Sequence, residues 1–179
     1  MYKDVVFGPY QMQVSKVEAE KMAFDAIRDI GLPESIYDLS PLALSGGQKR
    51  KVALAGILAM HPEYLVLDEP AAGLDPVGRR ELMRYLRELC DKKNMTVIMV
   101  SHSMEDMAEY TDRMLVLSQG NIRKDDTTRA CLWDETCMQE AGLKMPAVMR
   151  MVRQLRLAGL SVQPDLMKET EVLQALMQM

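Results

Sequence analysis

The sequence predicts an α/β fold: a parallel-sheet core, a helical subdomain before it and a helical extension after it. Three observations point there. Two short, unbroken apolar runs, Tyr64–Leu67 and Thr96–Val100, read as buried parallel strands, the first closing on Asp68. A helical pattern, with Leu82, Leu86 and Leu89 on one face, separates them. A third run, Arg113–Leu117, follows another short helical stretch, giving the strand–helix alternation of βαβ units through residues 64–117.

The elements follow in chain order. Residues 15–30 read as a helix: Ser15 and Glu18 make an S-x-x-E start, and Ala19, Met22, Ala23, Ala26, Ile27 and Ile30 recur at helical spacing before Gly31. Residues 32–43, with Pro33 and Pro41, read as loop. Val52 to Met60 is apolar round much of a helix and predicts a largely buried one, stopped by His61-Pro62. Asp75-Pro76 is a helix start, a cap followed by proline at the first position. Ser103 caps a short helix to about Tyr110, and Gln119-Gly120-Asn121 folds the third strand into a hairpin with Ile122. Pro146 opens a helix with Val148, Met151, Val152 and Leu155 as its apolar stripe, ended by Gly159. A last helix is expected near 165–178.

Composition narrows the function. Of 179 residues 48% are hydrophobic and 27% charged, which suits a folded domain. The net charge of −4 offers no basic footprint for nucleic acid. No apolar run approaches the roughly 20 residues of a membrane-spanning helix, and MYKDVVFGP has no secretory apolar core. Cys90, Cys131 and Cys137 lack C-x-x-C spacing, so neither a zinc ribbon nor a disulfide framework is indicated, and a reducing compartment is the natural reading. Scattered methionines, 17 in all, read as core filler rather than a metal box.

Chemistry concentrates in four places. Leu44-Ser45-Gly46-Gly47-Gln48 opens a helix, where unpaired N–H groups, two glycines and a hydroxyl make a phosphate-facing surface. Asp68 and Glu69 sit at a strand's carboxyl end, where ligands of parallel sheets bind; oxygen ligands suit magnesium, and a carboxylate can take a proton from water. Gly73-Leu74-Asp75 follows, and His102 ends the next strand on the same rim. Each has a plainer reading: a turn, an acidic loop, a helix cap, a structural histidine. Their order in one chain favours a nucleotide site.

In that order the sequence resembles the ABC-type ATPases. Leu44–Gln48 is similar to their signature motif, Leu65–Glu69 to the Walker B strand and catalytic glutamate, Gly73–Asp75 to the D-loop and His102 to the switch histidine. MYKDVVFGP, AGILAMHPEYLVLDEPAAGLDP and GLKMPAVMRMVRQLRLAGL resemble the ATP-binding subunits of energy-coupling factor importers of cobalt and vitamins. The resemblance implies ATP and Mg2+ as cofactors. Leu44, Ser45, Gly46, Gly47 and Gln48 would face the ATP of a neighbouring subunit, Asp68 would hold magnesium through water, and Glu69 would polarise the attacking water. His102 would touch the γ-phosphate and Asp75 would cross the dimer interface. It implies a second ATPase subunit and an integral membrane subunit as partners, no nucleic acid, and a place at the cytoplasmic face of the membrane. On this reading residues 1–43 are part of the helical subdomain, 44–125 the signature-to-histidine part of the core, and 126–179 a helical extension that stabilises a dimer. The plainer alternative is an extension that only packs on the core.

One expected motif is missing. No G-x-x-x-x-G-K-[ST] occurs, and none of the ten glycines precedes a lysine. In the family the P-loop, the adenine-stacking aromatic and the Q-loop glutamine all precede the signature, so the fold implied is an incomplete P-loop NTPase (ABC-type) whose chain alone is inactive and marginally stable. Ala71 also replaces the usual threonine or serine, and Gly8-Pro9-Tyr10-Gln11 lacks an expected asparagine. Two other functions stay open: a non-catalytic module lending its signature to a P-loop-bearing partner, and a soluble ABC ATPase unconnected with transport.

Overall fold

The computed structural model describes residues 1–178 and, of residue 93, the backbone only. It divides into two compact units, Met1–Met99 and Val100–Met179.

The first unit begins with three mutually packed helices, α1 (Tyr2–Tyr10), α2 (Lys16–Asp29) and α3 (Gly46–Leu58). Small residues let them approach: Ala19, Ala23 and Ala55 are fully buried, with Val5 and Ile27 filling the space between. Ser15 caps α2 as expected, accepting from the Glu18 N–H at 3.2 Å. α1 is an addition to the sequence expectation. Gly8 and Pro9 mask it; Pro9 falls in the last turn, so the one bond it cannot donate, to the Val5 carbonyl, is lost only at the helix end. Two short 3₁₀ turns, Glu34–Ile36 and Pro41–Ala43, occupy the expected loop, and Ser40 caps the second through the Leu42 N–H.

Next come β1 (Tyr64–Asp68), α4 (Pro76–Lys93) and β2 (Thr96–Val100), a βαβ unit whose strands pair in a small parallel sheet. Leu82, Met83, Leu86 and Leu89 bury one face of α4, as the spacing predicts. The expectation of buried strands needs correction. β1 buries Leu65 but exposes Tyr64 and Val66, and β2 exposes Ile98 and Val100.

In the second unit α5 (Met104–Tyr110) leads to β3 (Arg113–Ser118) and β4 (Asn121–Thr127). These pair antiparallel from Arg113 opposite Thr127 to Ser118 opposite Asn121, with a bulge between Val116 and Leu117. Left-handed φ at Gln119 (51°) and Gly120 (75°) makes the tight primed turn that fits strand twist. Among the described residues the strands therefore form two two-stranded sheets, β1–β2 and β3–β4, not one sheet through residues 64–117. Hairpin pairing is local, and β3 takes its ladder from the strand that directly follows it.

Two short helices, α6 (Thr128–Leu132) and α7 (Glu135–Glu140), precede α8 (Ala147–Leu157) and α9 (Glu169–Met177). Six residues or fewer are too short to reveal a period, so α6 and α7 escape sequence reading. Val152, Val162, Leu166 and Val172 form a buried cluster, with Val148 and Leu155 packed on it. Most of the α8 stripe is thus covered from within its own unit, while Met151 stays exposed. Arg129 braces this packing, pairing with Glu171 at 2.8 Å and Asp165 at 3.3 Å.

Candidate functional site

Ser45 caps α3, and the cap is reciprocal. Its Oγ accepts from the Gln48 N–H at 3.2 Å, and the Gln48 Oε1 accepts from the Ser45 N–H at 3.0 Å. That box fixes the Ser45–Gln48 turn before any ligand arrives. Gly46 and Gly47 provide the first N–H groups of the helix, which lack intrahelical acceptors by construction. A Cβ on Gly46 would meet nothing within 4 Å, and one on Gly47 would meet only Leu74, at 3.4 Å. Neither glycine is required by the packing of this chain. Leu44 is buried and anchors the turn, while Ser45 and Gly46 are exposed.

Asp68 is the exposed last residue of β1. Glu69 follows with φ 44°, left-handed for a residue that is not glycine and that precedes a proline. Such a conformation costs roughly 1–3 kcal/mol and persists only where the surroundings enforce it. The loop then turns through Gly73 (φ 71°) to Asp75. The Asp75 carboxylate accepts from the N–H groups of Val77 and Gly78, both at 2.9 Å. Those bonds, Gly78 first, hold its pKa below the ordinary carboxylate value.

The signature turn and this loop lie together. Leu74 faces Gly47, Arg50 donates from α3 to the Ala72 carbonyl, and Lys51 reaches Glu81 of α4 at 3.4 Å. Arg50 was not among the sequence candidates. Its only signal is a basic residue two positions beyond Gln48, and what it touches depends on the tertiary fold. Ser45, Gly46, Gly47, Gln48, Asp68, Glu69 and Asp75 all belong to the first unit. His102 is exposed just past β2, in the second unit. Ser103 beside it caps α5 through the Asp106 N–H at 3.2 Å.

Chemically, the first unit offers an open surface with a prearranged anion-facing turn and, one loop away, two consecutive carboxylates.

The α/β fold that carries this surface matches solved ABC ATPase domains, as comparison with known proteins shows. A family model described as "AAA domain, putative AbiEii toxin, Type IV TA system" matches residues 18–107, a span that starts in α2 and ends after His102. The chain belongs to that AAA-domain family. Within it, the likeness to energy-coupling factor ATP-binding proteins read from the motifs is borne out. EcfA2 of Bacillus subtilis, an energy-coupling factor transporter ATP-binding protein, is 46% identical over 87% of this chain and 56% of its own length. A solved structure of cbiO1 from Clostridium perfringens, part of the ABC transporter complex cbiONQ, superposes with a TM-score of 0.69 at 32% identity, over 89% of this chain and 61% of that one. The MJ0796 cassette, a dimer in a post-hydrolysis state bound to ADP and Pi, gives 0.58 at 28% identity, over 64% and 49%. The chain spans about three fifths of the length of the curated relatives it matches. Among the described residues no helix is long and apolar enough to cross a membrane.

Proposed function

We propose that this chain supplies the signature-bearing part of an ATP-binding subunit of an energy-coupling factor importer. Its Ser45–Gln48 turn closes over ATP cradled by a P-loop that lies outside these 179 residues. Glu69 accepts the proton of the attacking water, and Asp75 lines the join with the facing subunit. His102 contacts the terminal phosphate. Asp68 is a fitting outer ligand for magnesium, being an exposed carboxylate at the end of β1. Magnesium, when bound, neutralises charge developing on the phosphates. Coupling to transport runs through an integral membrane partner at the cytoplasmic face, contacted by the helical part, residues 1–43. Residues 44–125 then form the signature-to-histidine core and 126–179 the helical extension.

A single observation carries this reading. Gly46 and Gly47 stand at a capped helix start where the chain itself has room for side chains. A phosphate brought by another P-loop explains why no side chain stands there.

The test is complementation. The chain is mixed with a P-loop-bearing relative whose own signature serine and glycines have been replaced. Restored ATPase activity, lost again on Gly47→Trp in this chain, is the expected result. No stimulation at any ratio would contradict the proposal.

A further inference from the structure

The second unit contains an open cleft of about 870 Å³ between α8 and the segment 159–165. None of the residues assigned to the nucleotide lines it. Its size falls within the range of small-molecule sites, roughly 300–1,000 Å³.

Four ionised side chains line it, and three are already committed. Glu135 pairs with Arg153 at 2.8 Å, and Asp165 pairs with Arg129 at 3.3 Å. That leaves Arg156, in the last turn of α8, with no ion-pair partner among the described residues. The wall beside it is apolar: Leu157 is 76% exposed. Trp133 also lines the cleft, and its indole N–H is buried without an acceptor.

We propose that this cleft binds a small amphipathic anion, a carboxylate on an apolar body. The carboxylate sits on the planar fork of Arg156, whose paired N–H groups match its two oxygens. The hydrocarbon covers Leu157 and lies against Trp133. One free guanidinium suits a single negative charge, and the apolar wall disfavours inorganic phosphate, which has no apolar part. Occupancy holds α8 and the following turn together, an ordering that α9, packed on the same cluster, would share.

Trp133 is the sole tryptophan, so all tryptophan emission comes from a residue that lines this cleft. The full 179-residue chain is titrated with octanoate, with 1-octanol and with inorganic phosphate, and calorimetry is run in parallel. Octanoate is expected to bind saturably and change Trp133 emission. Octanol should bind at least about tenfold more weakly, and phosphate should neither bind nor compete. Arg156→Gln, an exposed position whose replacement should leave the circular dichroism unchanged, is expected to weaken octanoate about tenfold. Arg153→Gln, which frees Glu135 to repel the anion, should also weaken it and serves as the second variant. Several results would overturn the proposal. They are no saturable binding by either readout, equal affinity for octanol, competition by phosphate alone, or unchanged affinity in Arg156→Gln. Binding only of a peptide bearing a free carboxyl terminus would assign the cleft to a protein partner instead, and would also overturn it.

Discussion

The helices and the strand pair of the first unit bury their apolar residues to very different extents. In α1–α3, Val5, Ala19, Ala23, Ile27 and Ala55 have lost all contact with water. A few residues later β1 leaves Tyr64 68% and Val66 66% exposed, and β2 leaves Ile98 51% exposed. The helical layer keeps a closed core, although Phe7, Val17 and Ile57 stay exposed at its surface. The sheet does not, although YLVL and TVIMV are runs of the kind that parallel sheets bury on both faces. An apolar strand face open to water is a surface waiting for cover. On the proposed function that cover comes with the P-loop.

The largest effect should fall where cover and chemistry coincide. In a full-length subunit restored by joining a P-loop-bearing portion to this chain, Glu69→Gln is predicted to reduce steady-state turnover by about 10²-fold or more while ATP-bound assemblies persist on gel filtration. Normal hydrolysis by that variant would remove Glu69 from the role proposed.

The comparison itself breaks or holds on two core substitutions followed by urea denaturation. Ile27→Ala empties a closed site and should cost about 2–5 kcal/mol. Ile98→Ala trims a half-exposed residue and should cost less than about 1 kcal/mol in the chain alone. Adding the P-loop-bearing part should raise the second cost and leave the first. Equal costs in the isolated chain would mean that the two regions are equally closed. A smaller effect is expected at the signature cap: Ser45→Ala loses one half of the reciprocal box, about 1 kcal/mol, seen as a lowered urea midpoint.

Acid should separate the two units, by the smallest effect. Asp75 in the first unit is held below its ordinary pKa by the Gly78 and Val77 N–H groups. In the second, Asp125 is lowered by Arg113 and Asp134 by Lys124. Glu171 is lowered too: burial pushes it up, but the N–H groups of Met167 and Lys168 and the Arg129 guanidinium outweigh that. A carboxyl depressed in the folded state adds stability that is present above its unfolded pKa and is lost as pH falls through the folded one. All four contributions are therefore intact at pH 7 and decline below about pH 4. Three of them act in residues 100–179, so hydrogen exchange at pH 3 should rise more there than in residues 1–99. The opposite order would contradict the assignment.

How far the sequence alone led depends on whether the cause was local. Caps are local: Ser15, Ser45, Asp75 and Ser103 all begin helices where their spacing placed them. The bounds of β1 and β2 were legible as apolar runs between breakers. Pairing was not, because nothing in Arg113–Leu117 distinguishes a strand that joins β2 from one that pairs with its own hairpin. Nor was exposure: an apolar run states a preference for burial, and only the tertiary neighbours decide whether it is met. At the candidate site the signature turn, the acidic pair and Asp75 could be read from residue types. The left-handed backbone of Glu69 and the Arg50 link to Ala72 could not, since both arise from packing across the loop.

The central claim is that the chain holds the closing half of a nucleotide site and needs a phosphate cradle from elsewhere. Binding and hydrolysis of MgATP by the purified 179-residue chain, measured with and without a P-loop-bearing relative, test it most directly. Neither binding nor turnover above background without the relative, and both with it, is the predicted result. Saturable binding and Glu69-dependent hydrolysis by the chain unaided would contradict the account.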